Sequence, residues 1–340
     1  MEQALCNLYA VEKKKNILYI VIAILLVFLL GVLMMTIGNT NYSPKEVFHY
    51  LFSTETKGAA YTIKSLRLPK LIVGGLAGFA FGISGYTFQS ILKNPLASPD
   101  IIGVTSGSSA AAVFCILILG ISGFTASVFA IAAGLLVTLL ILVLSGKGHA
   151  FGSKMILIGI GFQAALNALI SWMLQIGSEY DVASALRWLR GSLNYVQLSD
   201  VLPMTIVVML AGSFLLVCNR SLGILQLGEE YATALGVSIK QVRICTMIFA
   251  LLLSATATAV TGPIASVAFL SGPIAGRITK GNRITLFLSG LIGAILVYAA
   301  ELVGKNLFQA KYPVGVITGL LGAPYLLIQL FGIHKKGEKI

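Results

Sequence analysis

Residues able to do chemistry are sparse in this 340-residue chain, and their spacing excludes several activities. The three histidines, His49, His149 and His334, lack metal-ligand spacing. The four cysteines, Cys6, Cys115, Cys218 and Cys245, form no C-x-x-C pair, so neither a zinc site nor a disulfide framework is expected. A nucleotide phosphate loop needs G-x-x-x-x-G-K followed by Ser or Thr. Here Gly146-Lys147 is followed by Gly148, and Gly304-Lys305 by Asn306, so the chain should not bind or hydrolyse ATP alone. Gly159-Ile160-Gly161-Phe162-Gln163-Ala164 fits the dinucleotide fingerprint only formally, because it lies inside an apolar run rather than after a strand. No cofactor is implied.

The carboxylates discriminate further. All Asp and Glu fall outside the long apolar runs except Glu301, near the end of one of them. Ion-coupled carriers usually need ionisable groups inside the membrane. Their absence from mid-membrane weighs against a secondary transporter and against a charge-ring channel. Gln163 and Asn167 lie one helical turn apart and share a face. Interhelical hydrogen bonding is the favoured reading for them, ahead of the lining of a translocation path.

The elements that carry these residues follow from composition. The chain is 57% hydrophobic and 11% charged, with a mean hydropathy of +0.93. Soluble domains carry about 25% charged residues, so a soluble enzyme is excluded, as is disorder. Long unbroken apolar runs exclude a transmembrane β-barrel. A span needs roughly 20 apolar residues. The expected fold is an all-α polytopic membrane protein with about ten transmembrane helices: Ile17–Ile37, Leu71–Phe88, Ile101–Leu119, Phe124–Leu144, Met155–Leu174, Val201–Val217, Val242–Thr261, Ile264–Ile278, Ile284–Val303 and Val314–Phe331. The first run is too long for a signal-peptide core and no small-residue cleavage site follows it. Pro273 interrupts the short eighth span.

Residues 1–340 read as one transmembrane domain, with tails at 1–16 and 333–340 and a ten-helix bundle at 17–332. Ten spans put both termini on one side. With that side cytoplasmic, fifteen of the 24 Lys and Arg lie inside and nine outside, in the sense of the positive-inside rule. The net charge of +12 is therefore mostly topology and does not point to nucleic acid. Two outer loops, Gly38–Lys70 and Gln175–Asp200, are long enough to fold on a surface. Trp188, between Arg187 and Arg190, suits an interfacial position. Gly74, Gly78 and Gly82 repeat every fourth residue, as do Gly315 and Gly319, which predicts close helix packing. The same packing reading holds for the small residues Ser254 to Ala259.

The strongest local pattern runs from Gln89 through Asn94-Pro95-Leu96-Ala97-Ser98-Pro99-Asp100 to Gly103. Pro95 and Pro99 forbid a continuous helix. Asp100 is placed to cap the helix that follows. Together with Arg67-Leu68-Pro69-Lys70, Trp188…Gly191-Ser192-Leu193, Leu227-Gly228-Glu229-Glu230…Ala234-Leu235-Gly236-Val237, Gly262-Pro263-Ile264, Gly281-Asn282-Arg283 and Pro313-Val314-Gly315-Val316…Gly322-Ala323-Pro324, this hairpin resembles the iron-siderophore and cobalamin permease family of ABC importers, the FecCD-like permeases. The resemblance covers about residues 17 to 332. Two positions depart from the family pattern: Pro273-Ile274-Ala275-Gly276-Arg277 lacks a usual histidine, and Glu301 stands where Asp is common.

The resemblance implies a type II ABC importer permease fold of the cobalamin-permease kind in a bacterial cell membrane. It implies a second permease subunit, identical or paralogous, two cytoplasmic ATPase subunits and an extracytoplasmic binding protein that delivers an iron-siderophore complex. Haem or cobalamin are the alternative cargoes, and an ion-coupled secondary transporter is a more distant alternative. Leu227, Gly228, Glu229, Glu230, Ala234, Leu235 and Gly236 would form the ATPase-coupling loop, a short amphipathic helix broken at both ends by glycine. Arg67, Lys70 and Lys305 would present charge to an acidic binding protein. Gly152 and Ser153 match the cytoplasmic gate, and Gln89, Asn94, Pro95, Pro99, Asp100 and Gly103 mark the cytoplasmic hairpin.

Overall fold

An apolar run long enough to cross a bilayer must satisfy its backbone internally, and helices do so. The computed structural model describes residues 2–146, 151–280 and 284–337, and within them the regular structure is helical. The helices are α1 (Glu2–Thr36), α2 (Pro44–Phe52), α3 (Ala59–Tyr61), α4 (Leu68–Leu92), α5 (Val104–Phe114), α6 (Phe124–Ser145), α7 (Phe151–Ile176), α8 (Glu179–Leu189), α9 (Leu198–Leu227), α10 (Glu229–Ala234), α11 (Ile239–Thr261), α12 (Val267–Thr279), α13 (Thr285–Asn306) and α14 (Val314–Gly337). Seven helical stretches are long and apolar enough to cross a membrane, and two shorter apolar ones, Val104–Leu119 and Val314–Tyr325, accompany them. With α12 they correspond one to one to the ten expected spans.

α4 lies at the centre, packed against α9, α11, α12 and α13. Its glycine stripe permits this. A Cβ on Gly78 would overlap the Gly293 carbonyl, one on Gly82 the Ser289 carbonyl, and one on Gly85 the Ala268 carbonyl. The approach is close enough for Ser289 Oγ to donate to the Gly82 carbonyl at 3.0 Å. In lipid there is no hydrophobic drive between helices, so such contact supplies much of the cohesion. Ser254 to Ala259 are all buried in α11, as the packing reading requires.

Three elements differ from the sequence expectation. The second span begins earlier: α3, a π-helical turn at Thr62–Arg67 and α4 run together as one apolar stretch, Ala59–Leu92. The eighth begins later, at Val267, because Gly262 and Ser266 both take positive φ and break the chain after α11. Its 13 residues rise about 20 Å, too short to span the hydrocarbon core alone. Trp188 is not simply interfacial, since it packs partly buried against Ala112, Ala130 and Ala259.

Gln163 and Asn167 also depart from expectation. Among the described residues neither amide bonds to a neighbouring helix, and Asn167 is exposed. α7 presents Leu157, Ile160, Leu169 and Trp172 on surfaces left exposed among the described residues.

Candidate functional site

α4 ends because Lys93 adopts the left-handed conformation, after which Pro95 and Pro99 prevent helix from resuming. Asn94 organises the turn. Its side-chain oxygen accepts from Leu96 N–H at 2.9 Å, and its carbonyl accepts from Ala97 N–H at 3.0 Å. Gln89 is buried one turn before and donates through Nε2 to the Phe269 carbonyl at 3.1 Å, tying the hairpin to α12. Gln226 Nε2 donates to Ser90 Oγ at 2.8 Å, tying it to α9. Both ties cross long sequence separations, so the hairpin is held rigidly against two helices.

Asp100 does not cap α5. A 3-10 turn at Pro99–Ile102 intervenes, and Gly103 occupies the N-cap position without a side-chain bond. Asp100 instead accepts a hydrogen bond from the Thr105 hydroxyl. Burial pushes its carboxyl up, and the Thr105 bond works against that rise. Gly103 itself needs φ +76°, which explains glycine at the end of the motif.

α10 is bracketed by Gly228 at φ +133° and Gly236 at φ +76°, both outside the ordinary range of L side chains. Glu229 and Glu230 open this helix, where carboxylates favour the N-terminal dipole. Ala232 faces inward and is fully buried, whereas Leu227, Tyr231 and Leu235 are 66%, 66% and 63% exposed. Leu235 is the residue after the helix rather than part of it. Arg243, in α11, pairs with Glu229 through Nη2 and Oε1 at 2.8 Å.

These pieces come together around one cavity of about 540 Å³ at the hairpin end of the bundle. Lys93 and Asn94 of the hairpin, Gly152 and Ser153 at the start of α7, and Gly228, Glu229, Glu230 and Arg243 line it. Three motifs separated by more than fifty residues each thus share a wall. Sequence reasoning passed over Arg243 and Gln226. Arg243 was counted only among the cytoplasmic cations, although a cation soon after an acidic pair and a glycine turn is a usable signal. Gly281, Asn282 and Arg283 lie outside the described residues.

The opposite end carries the other expected group. Arg67 donates through Nη1 to the Met35 carbonyl at 2.6 Å and through Nη2 to the Thr40 carbonyl, and its guanidinium lies 5.0 Å from the Tyr42 ring centre. Lys70 Nζ donates to Asn194 Oδ1 at 2.7 Å. Lys305 pairs with the buried Glu301 one turn earlier. Together with Lys311 these residues line a cavity of about 220 Å³. The structure thus brings all three expected cations to one place, each already bonded within the chain.

Also at that end, Ser192 N–H donates to the Thr261 carbonyl at 2.7 Å, and Gly315 N–H to the Gly191 carbonyl at 3.1 Å. The Trp188, Gly262 and Pro313 motifs therefore meet through their backbones.

A bundle of apolar helices interrupted by short turns, with the short α10 at the hairpin end and α2 and α8 at the other, is the architecture of a membrane permease. The sequence matches the FecCD transport family over residues 23–331, and the chain belongs to that family. It is 33% identical over 303 residues to the ferric enterobactin transport system permease protein FepG of Escherichia coli (strain K12), covering 88% of this chain and 91% of that one. It is 32% identical over 316 residues to the achromobactin transport system permease protein CbrC of Dickeya dadantii (strain 3937), covering 91% and 90%. A solved inward-facing structure of a metal-chelate type ABC transporter superposes with a TM-score of 0.81 at 25% identity, over 93% of this chain and 99% of that one. The fold is that of a type II ABC importer permease, and the chain is a multi-pass membrane protein.

Proposed function

We propose that this chain is the permease subunit of an ATP-driven importer for a ferric siderophore. A second permease subunit would complete the translocation path, two ATPase subunits would dock on the hairpin end, and a binding protein would dock on the opposite end. Both termini then lie in the cytoplasm, in keeping with the excess of basic residues at the hairpin end. The observation that carries the reading is the shared cavity: the glycine-bracketed helix α10 sits beside the hairpin and Gly152-Ser153 and exposes Leu227, Tyr231 and Leu235. Three large apolar side chains on a charged surface suit a protein partner.

The uncovered face of α7 supports a second permease subunit against this helix, where Gln163 and Asn167 would gain a polar neighbour or line the path. Lys70 and Lys305 support docking of an acidic binding protein, with charge setting register and association rate. Gly152 and Ser153 would form the inner gate. The names of the relatives favour iron-siderophore cargo over haem or cobalamin.

The test is ligand binding by the cognate binding protein, challenged with ferric siderophores, haem and cobalamin. Tight binding of a ferric siderophore alone supports the cargo assignment. Exclusive binding of haem or cobalamin rejects it.

A further inference from the structure

Ion pairs lie at both ends of the bundle, Arg243–Glu229 at one and Lys305–Glu301 at the other. Arg243–Glu229 is the pair at the hairpin end. Glu229 is the first residue of α10, and Arg243 lies in the second turn of α11, so the pair closes the segment containing α10 and Gly236, with Gly228 just before it. Neither glycine is wedged. A Cβ on Gly236 would meet nothing within 4 Å, and one on Gly228 would meet only the Tyr231 ring at 3.4 Å. Both glycines take backbone conformations set by their hydrogen bonds to Leu225 and Thr233, and the buried Ala232 seats α10 beside α9 and α11. A salt bridge with 23% and 43% exposed side chains is modest in stability. Its geometric effect is larger, since it joins the short α10 directly to the long α11.

α11 then carries on from Arg243 to Thr261, a rise of about 27 Å. The Thr261 carbonyl accepts from Ser192 at the opposite end, beside the Gly191–Gly315 bond. Displacement of α11 along its axis is thus felt where three loops meet.

We infer that Arg243 is a positioning residue for energy coupling: through Glu229 it makes α10 and α11 move as one body, carrying motion of the ATPase-facing helix to the Gly191–Thr261–Gly315 junction. This rests on the ATPase-contact reading of α10. Without the pair, α10 keeps its packing on α9, but its motion is no longer passed to α11 and ATP is hydrolysed without transport.

The experiment compares wild type with Arg243→Gln, Arg243→Lys and the exchange Glu229→Arg with Arg243→Glu. Each is co-expressed with the cognate ATPase and reconstituted in proteoliposomes with the binding protein. Readouts are ATPase co-purification, basal hydrolysis, and ATP hydrolysed per radio-iron siderophore imported. Arg243→Gln should retain the ATPase and its basal rate while ATP spent per iron rises about tenfold, one factor of 1.4 kcal/mol in coupling. Arg243→Lys and the exchanged pair should restore most of the coupling. An Arg243→Gln complex coupled like wild type overturns the inference. If Arg243→Gln fails to assemble, the exchanged pair decides, and an exchanged pair that is uncoupled or unassembled overturns it. Failure of the wild-type chain to retain any ATPase would instead reject the ATPase-contact reading itself.

Discussion

Gly315 donates its backbone N–H to the carbonyl of Gly191 at 3.1 Å, joining the start of α14 to the turn after α8. Gly191 takes φ +63°, and a Cβ there would overlap the Pro263 carbonyl. A Cβ on Gly315 would overlap the Arg190 carbonyl. Three backbones approach at one point, and only glycine allows it. Gly315→Ala should therefore destabilise the purified protein by about 1–3 kcal/mol and lower its thermal midpoint in detergent. An unchanged midpoint would show that the junction yields easily.

The α4–α13 crossing makes a paired prediction. Gly82→Val forces a side chain into the Ser289 carbonyl and separates the two central helices, so folded yield and thermal stability should fall sharply. Gly161→Ala in α7 is the control. Nothing lies within 4 Å of its added Cβ, and stability should be unchanged or slightly higher. Size-exclusion profiles of heated samples compare the two.

Gly236→Leu separates folding from coupling. The site has open space but φ +76°, so the substitution costs about 1–2 kcal/mol of local strain. The bundle should assemble, while α10 is re-aimed and hydrolysis uncouples from uptake. Normal coupled uptake would remove α10 from the mechanism.

Much of this was legible in the sequence because lipid simplifies the code. Ten apolar runs gave ten helices, and glycines every fourth residue gave the central crossing. The glycine brackets of α10 were legible for the same reason: they require backbone conformations that other residues avoid. What escaped was long-range. Nothing local in Arg67 says that its guanidinium binds carbonyls 27 and 32 residues earlier. Asp100 followed proline in a pattern typical of caps, but the intervening 3-10 turn makes Gly103 the N-cap and leaves Asp100 bonded to the Thr105 side chain in the first turn of α5. Hydropathy placed α12 too early because it cannot register the positive φ of Ser266.

Docking at the opposite end is tested with Lys70→Glu. Arg67 also anchors the chain after α1, so Lys70 separates charge from folding. The variant in nanodiscs should bind the binding protein several-fold more weakly at low salt, with the difference shrinking as salt is added. Equal affinity at low salt would exclude Lys70 as a docking point.

The most direct test of the whole account is uptake of radio-iron siderophore into proteoliposomes holding this permease, its partner permease and the ATPase. Uptake should require ATP on the side of α10 and the binding protein on the opposite side, and should stop when either is withheld. Uptake driven by a proton or sodium gradient with no ATPase present would contradict it.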